Sequence, residues 1–248
     1  MISIYSLPLY LRHWKEFFFG KKPFWLRISG LMVLVRPKTY DLYTISEVFD
    51  GLVYKPSLRD INSNFKIVLD LGAGIGDFSL WAYKFLHTEK TIAVEMESGN
   101  FRSLCLNIKR NGLEKIIVPL NIAIAENEGE AHIKINDFNS GMHSLDFKQK
   151  KGIKVKTIGL KELLEIYKIN KVDLLKMDIE GAEQFVLNEN NKVLFSDKVG
   201  YLIIESHADH KRNAAYFANL GFEVKTRRQL FNRAVIIEAL NKTLIKLN

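Results

Sequence analysis

From Lys66 onward, short apolar runs alternate with stretches whose apolar residues recur every three or four positions. Lys66 to Leu71 (KIVLDL) is β-branched and ends in glycines, the pattern of a buried strand. Asp77 to Leu86 repeats at helical spacing, Thr91 to Glu95 (TIAVE) is a second strand, and Gly99 to Asn111 is a helix closed by Gly112. Ile116 to Ala125 holds a third strand. Glu130 to Ile135 and Ile153 to Thr157 alternate like antiparallel strands, and Leu160 to Tyr167 is a helix. Val172 to Met177 (VDLLKM) and Gly200 to Glu205 (GYLIIE) are the fourth and fifth core strands, with a helix opening at Ala182 to Leu187 between them. A helix near Asn213 to Leu220 precedes two strands, Phe222 to Thr226 and Arg233 to Glu238. Repeated strand–helix units predict an α/β fold with a mostly parallel, seven-stranded Rossmann-like sheet. The last two strands are joined too tightly for a crossover helix, so they form an antiparallel hairpin.

The first 60 residues follow another pattern. Leu7, Tyr10, Leu11, Trp14, Phe17 and Phe18 fall on one helical face, Phe24 to Arg36 reads as a hairpin turning at Ser29-Gly30, and Leu42 to Val53 reads as helix. The expected division is a helix/hairpin cover over residues 1–60 and a catalytic domain over 61–248. The aromatic face is either ordinary core packing or a contact with a membrane surface or a second copy of the chain.

Composition narrows the class. Of 248 residues, 47% are hydrophobic and 26% charged, ordinary globular values that exclude a disordered or collagen-like chain. A single cysteine, Cys105, excludes a disulfide framework and a cysteine-rich zinc module, and suits a reducing, cytoplasmic location. No apolar run approaches the roughly 18 residues of a spanning helix. The net charge is +8, concentrated at the two ends: +4 over residues 1–60 and +6 over 211–248. Lysines are scattered rather than blocked, which favours a solvated surface over a nucleic-acid footprint.

The chemistry begins at VLDLGAGIGDF, Val68 to Phe78. Gly72, Gly74 and Gly76 leave the first core strand and open a helix, so a ligand can approach the backbone and meet free N–H groups. Their G-x-G-x-G spacing is one residue shorter than the dinucleotide fingerprint. Glu95 closes the next strand, where a carboxylate can accept both ribose hydroxyls of an adenosine ligand, and Met96 beside it can pack on adenine.

A second cluster is DLLKMDIEGAE, Asp173 to Glu183. Lys176 and Asp178 face one side of the fourth strand, and Asp178 stands at its carboxyl end, where open α/β sheets bind ligands. A Lys176–Asp178 pair would satisfy both. Glu180 and Glu183 open a helix, where its dipole favours acids. The fifth strand ends Glu205-Ser206-His207. If the fourth and fifth strands are neighbours, Asp178, Glu205 and His207 converge as a general base, with Glu205 orienting His207, or as a site for a divalent metal such as magnesium. The polar segment from Asp137 to Gly152 is the expected acceptor-facing loop, with His143, Ser144 and Glu180 as substrate contacts.

The glycine loop and Glu95 together resemble motif I of class I S-adenosylmethionine-dependent methyltransferases. That likeness implies a cofactor site in which Asp70, Gly72 and Gly74, with Ala73 and Gly76 of the same loop, line the methionine part. It also implies that Glu95 holds the ribose and that Asn121 to Ala123 border the adenine. Adding K-x-D-x-E-G-x-E at Lys176 to Glu183 and I-E-x-H at Ile204 to His207, the chain resembles the FkbM family from about Asp41 to Asn241. The resemblance implies methyl transfer to a hydroxyl of a sugar, glycan or other metabolite. Rival readings are an RNA methyltransferase using Lys211, Arg212, Arg227, Arg228 and Arg233, a non-catalytic cofactor-binding module, and a nucleotide-dependent oxidoreductase.

Overall fold

The computed structural model describes residues 15–16, 19–50, 53–57, 65–134, 144–146, 152–207, 209–229 and 234–244. The aromatic stripe from Leu7 to Phe18, His143 and Arg233 lie outside them.

Seven strands form the central sheet. They are β3 (Ile67–Leu71), β4 (Lys90–Val94), β5 (Ile117–Leu120), β10 (Val172–Met177), β11 (Val199–Ser206), β12 (Glu223–Arg228) and β13 (Val235–Leu240). Their order is β12-β13-β11-β10-β3-β4-β5, parallel except for β13 against its two neighbours. The expected closing hairpin is there. The order reverses beside β3, whose neighbours are β4 and β10, so the loops leaving β3 and β10 flank one crevice at the carboxyl edge.

Alternation along the strands loads both faces with apolar side chains, as a parallel sheet requires. Leu69, Leu71, Leu175 and Met177 pack to one side with Leu163, Phe195 and Phe217. Val68, Leu174, Tyr201 and Ile203 pack to the other with Phe78 and Trp81 of the helix Asp77–Leu86.

The run Ile116 to Ala125 does not stay in one sheet. After β5 the chain turns at Asn121-Ile122, and β6 (Ala123–Ala125) enters a second sheet of order β6-β9-β7-β8 with β7 (Gly129–Lys134), β8 (Ser144–Asp146) and β9 (Ile153–Gly159). Pro119 can donate no ladder hydrogen bond, and β5 tolerates it because it is the sheet edge. β7 and β9 pair antiparallel as their alternation predicts. The helix expected over Ala182 to Leu187 shrinks to the single turn Glu183–Val186.

At the N-terminal end, β1 (Phe24–Ile28) and β2 (Leu31–Val35) form the expected antiparallel hairpin, and α1 (Asp41–Phe49) follows. Leu26, Val33 and Val35 join Leu80, Leu104 and Ile108 in one cluster, so the hairpin packs on the helices flanking the sheet. Two asparagines of the helix Ser98–Arg110 and its cap hold it there. Asn107 Oδ1 accepts from Leu34 N at 2.7 Å while its Nδ2 donates to Ile75 O at 2.8 Å, and Asn111 Oδ1 accepts from Met32 N at 2.9 Å. Asn107 is fully buried, so Asn107→Ala leaves two backbone groups unpaired. An unfolding titration should show a loss of about 1–3 kcal/mol. A loss within error would mean that water replaces both bonds.

Candidate active site

Gly72, Gly74 and Gly76 all take positive φ, at 78°, 56° and 88°. Each has its own reason to lack a side chain. A Cβ on Gly72 would stand 1.8 Å from the carbonyl oxygen of Asp178, so the glycine loop and the end of β10 are in backbone contact. A Cβ on Gly76 would meet Leu104 at 2.5 Å. A Cβ on Gly74 would meet nothing within 4 Å: it points into the open space above the loop. The loop is pinned by Gly72 N and Ala73 N, both donating to Val94 O at 2.9 Å.

Glu95 lies just past β4 and closes the far side of that space. Its carboxylate accepts from Gly74 N and Glu97 N, each at 2.8 Å. Burial pushes its pKa up to about 7, against the two backbone donors. Asn121 Nδ2 donates to Glu95 O at 2.9 Å and Met96 O at 3.1 Å, tying the β5 exit to the same corner, while Ala123 is buried. Asp70 is fully buried and accepts from Ser79 Oγ at 2.6 Å.

Lys176 forms the expected pair with Asp178 and a closer one with a second acid. Parallel register sets it opposite Asp70, and its Nζ lies 3.3 Å from Asp70 Oδ1 and donates to Gly72 O at 2.6 Å. Asp178 Oδ2 is farther, at 4.0 Å. The reason is topological: β10 lies beside β3, so a buried acid on the neighbouring strand is the nearer partner. Burial disfavours the lysine's charge, but Asp70, Asp178 and Asp77 together raise its pKa above the ordinary value.

β10 and β11 are neighbours, so Asp178, Glu205 and His207 do meet. His207 Nε2 lies 3.0 Å from Asp178 Oδ1, its Nδ1 3.8 Å from Glu180 Oε2, and its Nε2 3.9 Å from Glu205 Oε1. Asp178, rather than Glu205, therefore orients the ring. Glu180 stands before the helix turn, with φ 51°, and faces the site. Burial works against the histidine's charge, but the hydrogen bond to Asp178 and the charges of Asp178, Glu180 and Glu205 outweigh it and raise its pKa to about 10. Asp178 shows the converse. Burial raises its pKa, and the His207 hydrogen bond with the Lys176 charge pulls it below the ordinary carboxylate value. Glu180 is pushed up to about 8, first by burial and then by Asp178.

Two contributors were not among the site residues expected from the sequence. Tyr54 places its hydroxyl 2.9 Å from Asp178 Oδ2 and 2.7 Å from Glu205 Oε2. Glu47 of α1 accepts from Tyr43 at 2.6 Å, and its pKa rises to about 7 through burial and then the charges of Glu205 and Asp178. No periodicity or motif marks Tyr54, whereas Glu47 is the acid of the T-I-x-E-V-F run at Thr44 to Phe49. Ser144 opens β8, and its side chain is outside what is described.

These shifts set a pH dependence. His207 binds its proton more tightly folded, near pH 10, than unfolded, near 6.5. Its stabilisation is full below about 6.5 and is lost as pH rises through about 10. The raised acid Glu180 acts in the same sense over its own lower range. Thermal melts should therefore fall between pH 6.5 and 10, and His207→Gln should flatten the decline. An unchanged slope in that variant would remove His207 from the account.

A reversing parallel sheet, an open glycine loop on its crevice, an acid just past the next strand and a polar cluster in backbone contact with the loop define a class I methyltransferase. Residues 70–232 match the family model described as the Methyltransferase FkbM domain. The chain belongs to the FkbM family of S-adenosylmethionine-dependent methyltransferases. Among solved structures, Methyltransferase FkbM from Methylobacillus flagellatus KT superposes with a TM-score of 0.57 at 16% identity, over 76% of this chain and 47% of that one. This chain thus spans about half the length of that structure. A methyltransferase from Pyrococcus furiosus gives 0.51 at 15% identity, over 94% and 95% of the two chains. At these identities the likeness is one of fold. No curated protein matches the sequence. Among the described residues no helix is long and apolar enough to cross a membrane.

Proposed function

We propose that this protein transfers a methyl group from S-adenosylmethionine to a hydroxyl of a small metabolite such as a sugar or glycan. The observation that carries the reading is the backbone contact between Gly72 and Asp178, which sets the proton-accepting cluster against the cofactor loop. The residues present fit the cofactor. Gly74 leaves open space above the loop, and Glu95 offers a carboxylate at its edge. Asp70 is fully buried, so its part is to anchor Lys176 beneath the loop.

S-adenosylmethionine supplies a methyl group already activated on a sulfonium. The protein has to align the acceptor oxygen and take its proton. As that oxygen takes the methyl group, its hydrogen passes to Asp178, which Lys176 and His207 keep ionised beforehand. His207 is an imidazolium near neutral pH, so it steadies the developing charge rather than acting as the base. Glu180 lies beside His207 and suits a hydroxyl of a neutral acceptor.

The polar cluster fits magnesium poorly. Glu180, rather than Glu205, lies with Asp178 and His207 inside 4.8 Å, and an imidazole nitrogen is a poor ligand for a hard ion that takes oxygen donors. The RNA reading loses one of its residues, because Arg227 is engaged by Glu238 at 3.2 Å and by Val53 O.

Calorimetric titration with S-adenosylmethionine, S-adenosylhomocysteine and NAD, with and without magnesium, tests the reading. Micromolar binding of the first two, unchanged by magnesium, supports it and leads to acceptor screening among hydroxylated glycans. Binding of NAD alone, or of none, would overturn it.

A further inference from the structure

Arg36 lies ahead of the matched residues 70–232, just past β2, yet it is tied to the acid at the edge of the cofactor loop. Its side chain is 20% exposed and forks between two partners. Nε donates to Asp41 Oδ2 at 2.8 Å, and Nη2 donates to Asp41 Oδ1 and to Asn100 Oδ1, each at 2.7 Å. The main-chain N of Arg36 donates to Asp41 Oδ2 as well, at 2.9 Å. Asp41 opens α1, and Asn100 lies in the first turn of the helix Ser98–Arg110; both are buried. One guanidinium therefore joins the N-terminal hairpin, α1 and the helix that follows β4. A planar fork with fixed donor directions can do this, and the single ammonium of a lysine cannot.

The helix turn that Arg36 holds also carries a partner of Glu95. Glu97 caps this helix, its carboxylate accepting from Gly99 N at 2.8 Å and from Asn100 N at 2.6 Å. The main-chain N of Glu97 donates to Glu95 Oε1, and Gly74 N donates to Glu95 Oε2, both at 2.8 Å. A carboxylate oxygen has two lone-pair sites, and each oxygen of Glu95 spends one of them on these donors. The two that remain stand side by side and suit a pair of adjacent hydroxyls. Where they point depends on the position of Glu97 N, and so on the turn fixed by Arg36. The negative charges of Glu97 and Glu95 also reach the guanidinium. A binding group needs its aim held to within about 10–20°, which is the work of the residues behind it.

We propose that Arg36 is a positioning residue of the cofactor site: by fixing the first turn of the helix Ser98–Arg110 against the hairpin, it aims the remaining lone pairs of Glu95 at two neighbouring hydroxyls of the ligand. The hairpin is then part of the cofactor site as well as its cover. The inference rests on the methyl-transfer reading for the identity of that ligand, an adenosine whose ribose carries the two hydroxyls.

Calorimetric binding of S-adenosylhomocysteine and of its 2′-deoxy analogue to the whole protein tests it. Hydrogen bonding to a charged group should give the wild type a preference of about tenfold or more for the intact ribose. In Arg36→Gln that preference should collapse towards one, because a misaimed carboxylate no longer meets both hydroxyls, while the deoxy analogue binds nearly as before. A merely structural arginine would weaken both ligands alike and leave the preference in place. Should Arg36→Gln fail to fold, as a thermal melt would show, Asn100→Ala cuts the tie to the helix, leaves the Arg36–Asp41 pair and should lower the preference in the same way. A preference unchanged in the folded variant, or a wild type that binds both ligands equally, overturns the proposal and leaves the methyltransferase reading standing. A wild type that binds neither ligand overturns both.

Discussion

Asp178→Asn should abolish most methyl transfer while S-adenosylmethionine still binds. The substitution keeps the shape of the side chain and leaves the main-chain contact with Gly72 untouched, so the cofactor loop has no reason to move. It removes a carboxylate whose surroundings hold its pKa below the ordinary value. Loss of a positioned proton acceptor costs about 10²–10⁴ in rate. His207 reports the change independently. Its pKa near 10 owes most of its rise to Asp178, so histidine NMR should show it falling towards the ordinary value. Calorimetry should give a dissociation constant for the cofactor within a few-fold of wild type. A variant that keeps turnover within a factor of ten would take Asp178 out of the chemistry.

Lys176→Met should produce the largest loss of stability. Lys176 is 3% exposed and Asp70 fully buried, and the lysine also supports the carbonyl of Gly72. Breaking a buried pair by removing one partner strands the other charge, at about 3–5 kcal/mol. In a chain of this length that lowers the melting temperature by roughly 6–20 °C. Asp70→Asn in the same chain removes the stranded charge and should recover part of the loss, because contacting residues are not additive. Equal melting of the single and double variants would show that the pair carries no coupling, and that the lysine acts through its packing alone.

Much of this was legible before any coordinates. β3, β10 and β11 are short, β-branched and apolar, and the helix Asp77–Leu86 repeats cleanly, because each buries a whole face and needs the period that does so. Asp178, Glu205 and His207 were legible as polar residues closing apolar strands. The run Ile116 to Ala125 was not. Both of its halves are strand-like, and the break at Asn121 depends on which sheet each half finds. The nearness of Glu180 to His207 was hidden for a similar reason: an acid before a helix turn looks like a dipole partner until its loop is seen to fold over His207.

Local pattern alone determined the element types, the parallel sheet, the glycine loop and the acids at the strand ends. These follow from side-chain periodicity and from the backbone freedom of glycine, which act over a few residues. Strand order and long-range closure were settled only in three dimensions. β10 beside β3 gives Lys176 a nearer partner in Asp70 than in Asp178, and a strap between residues 53–57 and the last hairpin brings Tyr54 to two carboxylates. Such partners are more than a hundred residues apart, and no local preference of the chain encodes which of them will meet in the folded interior.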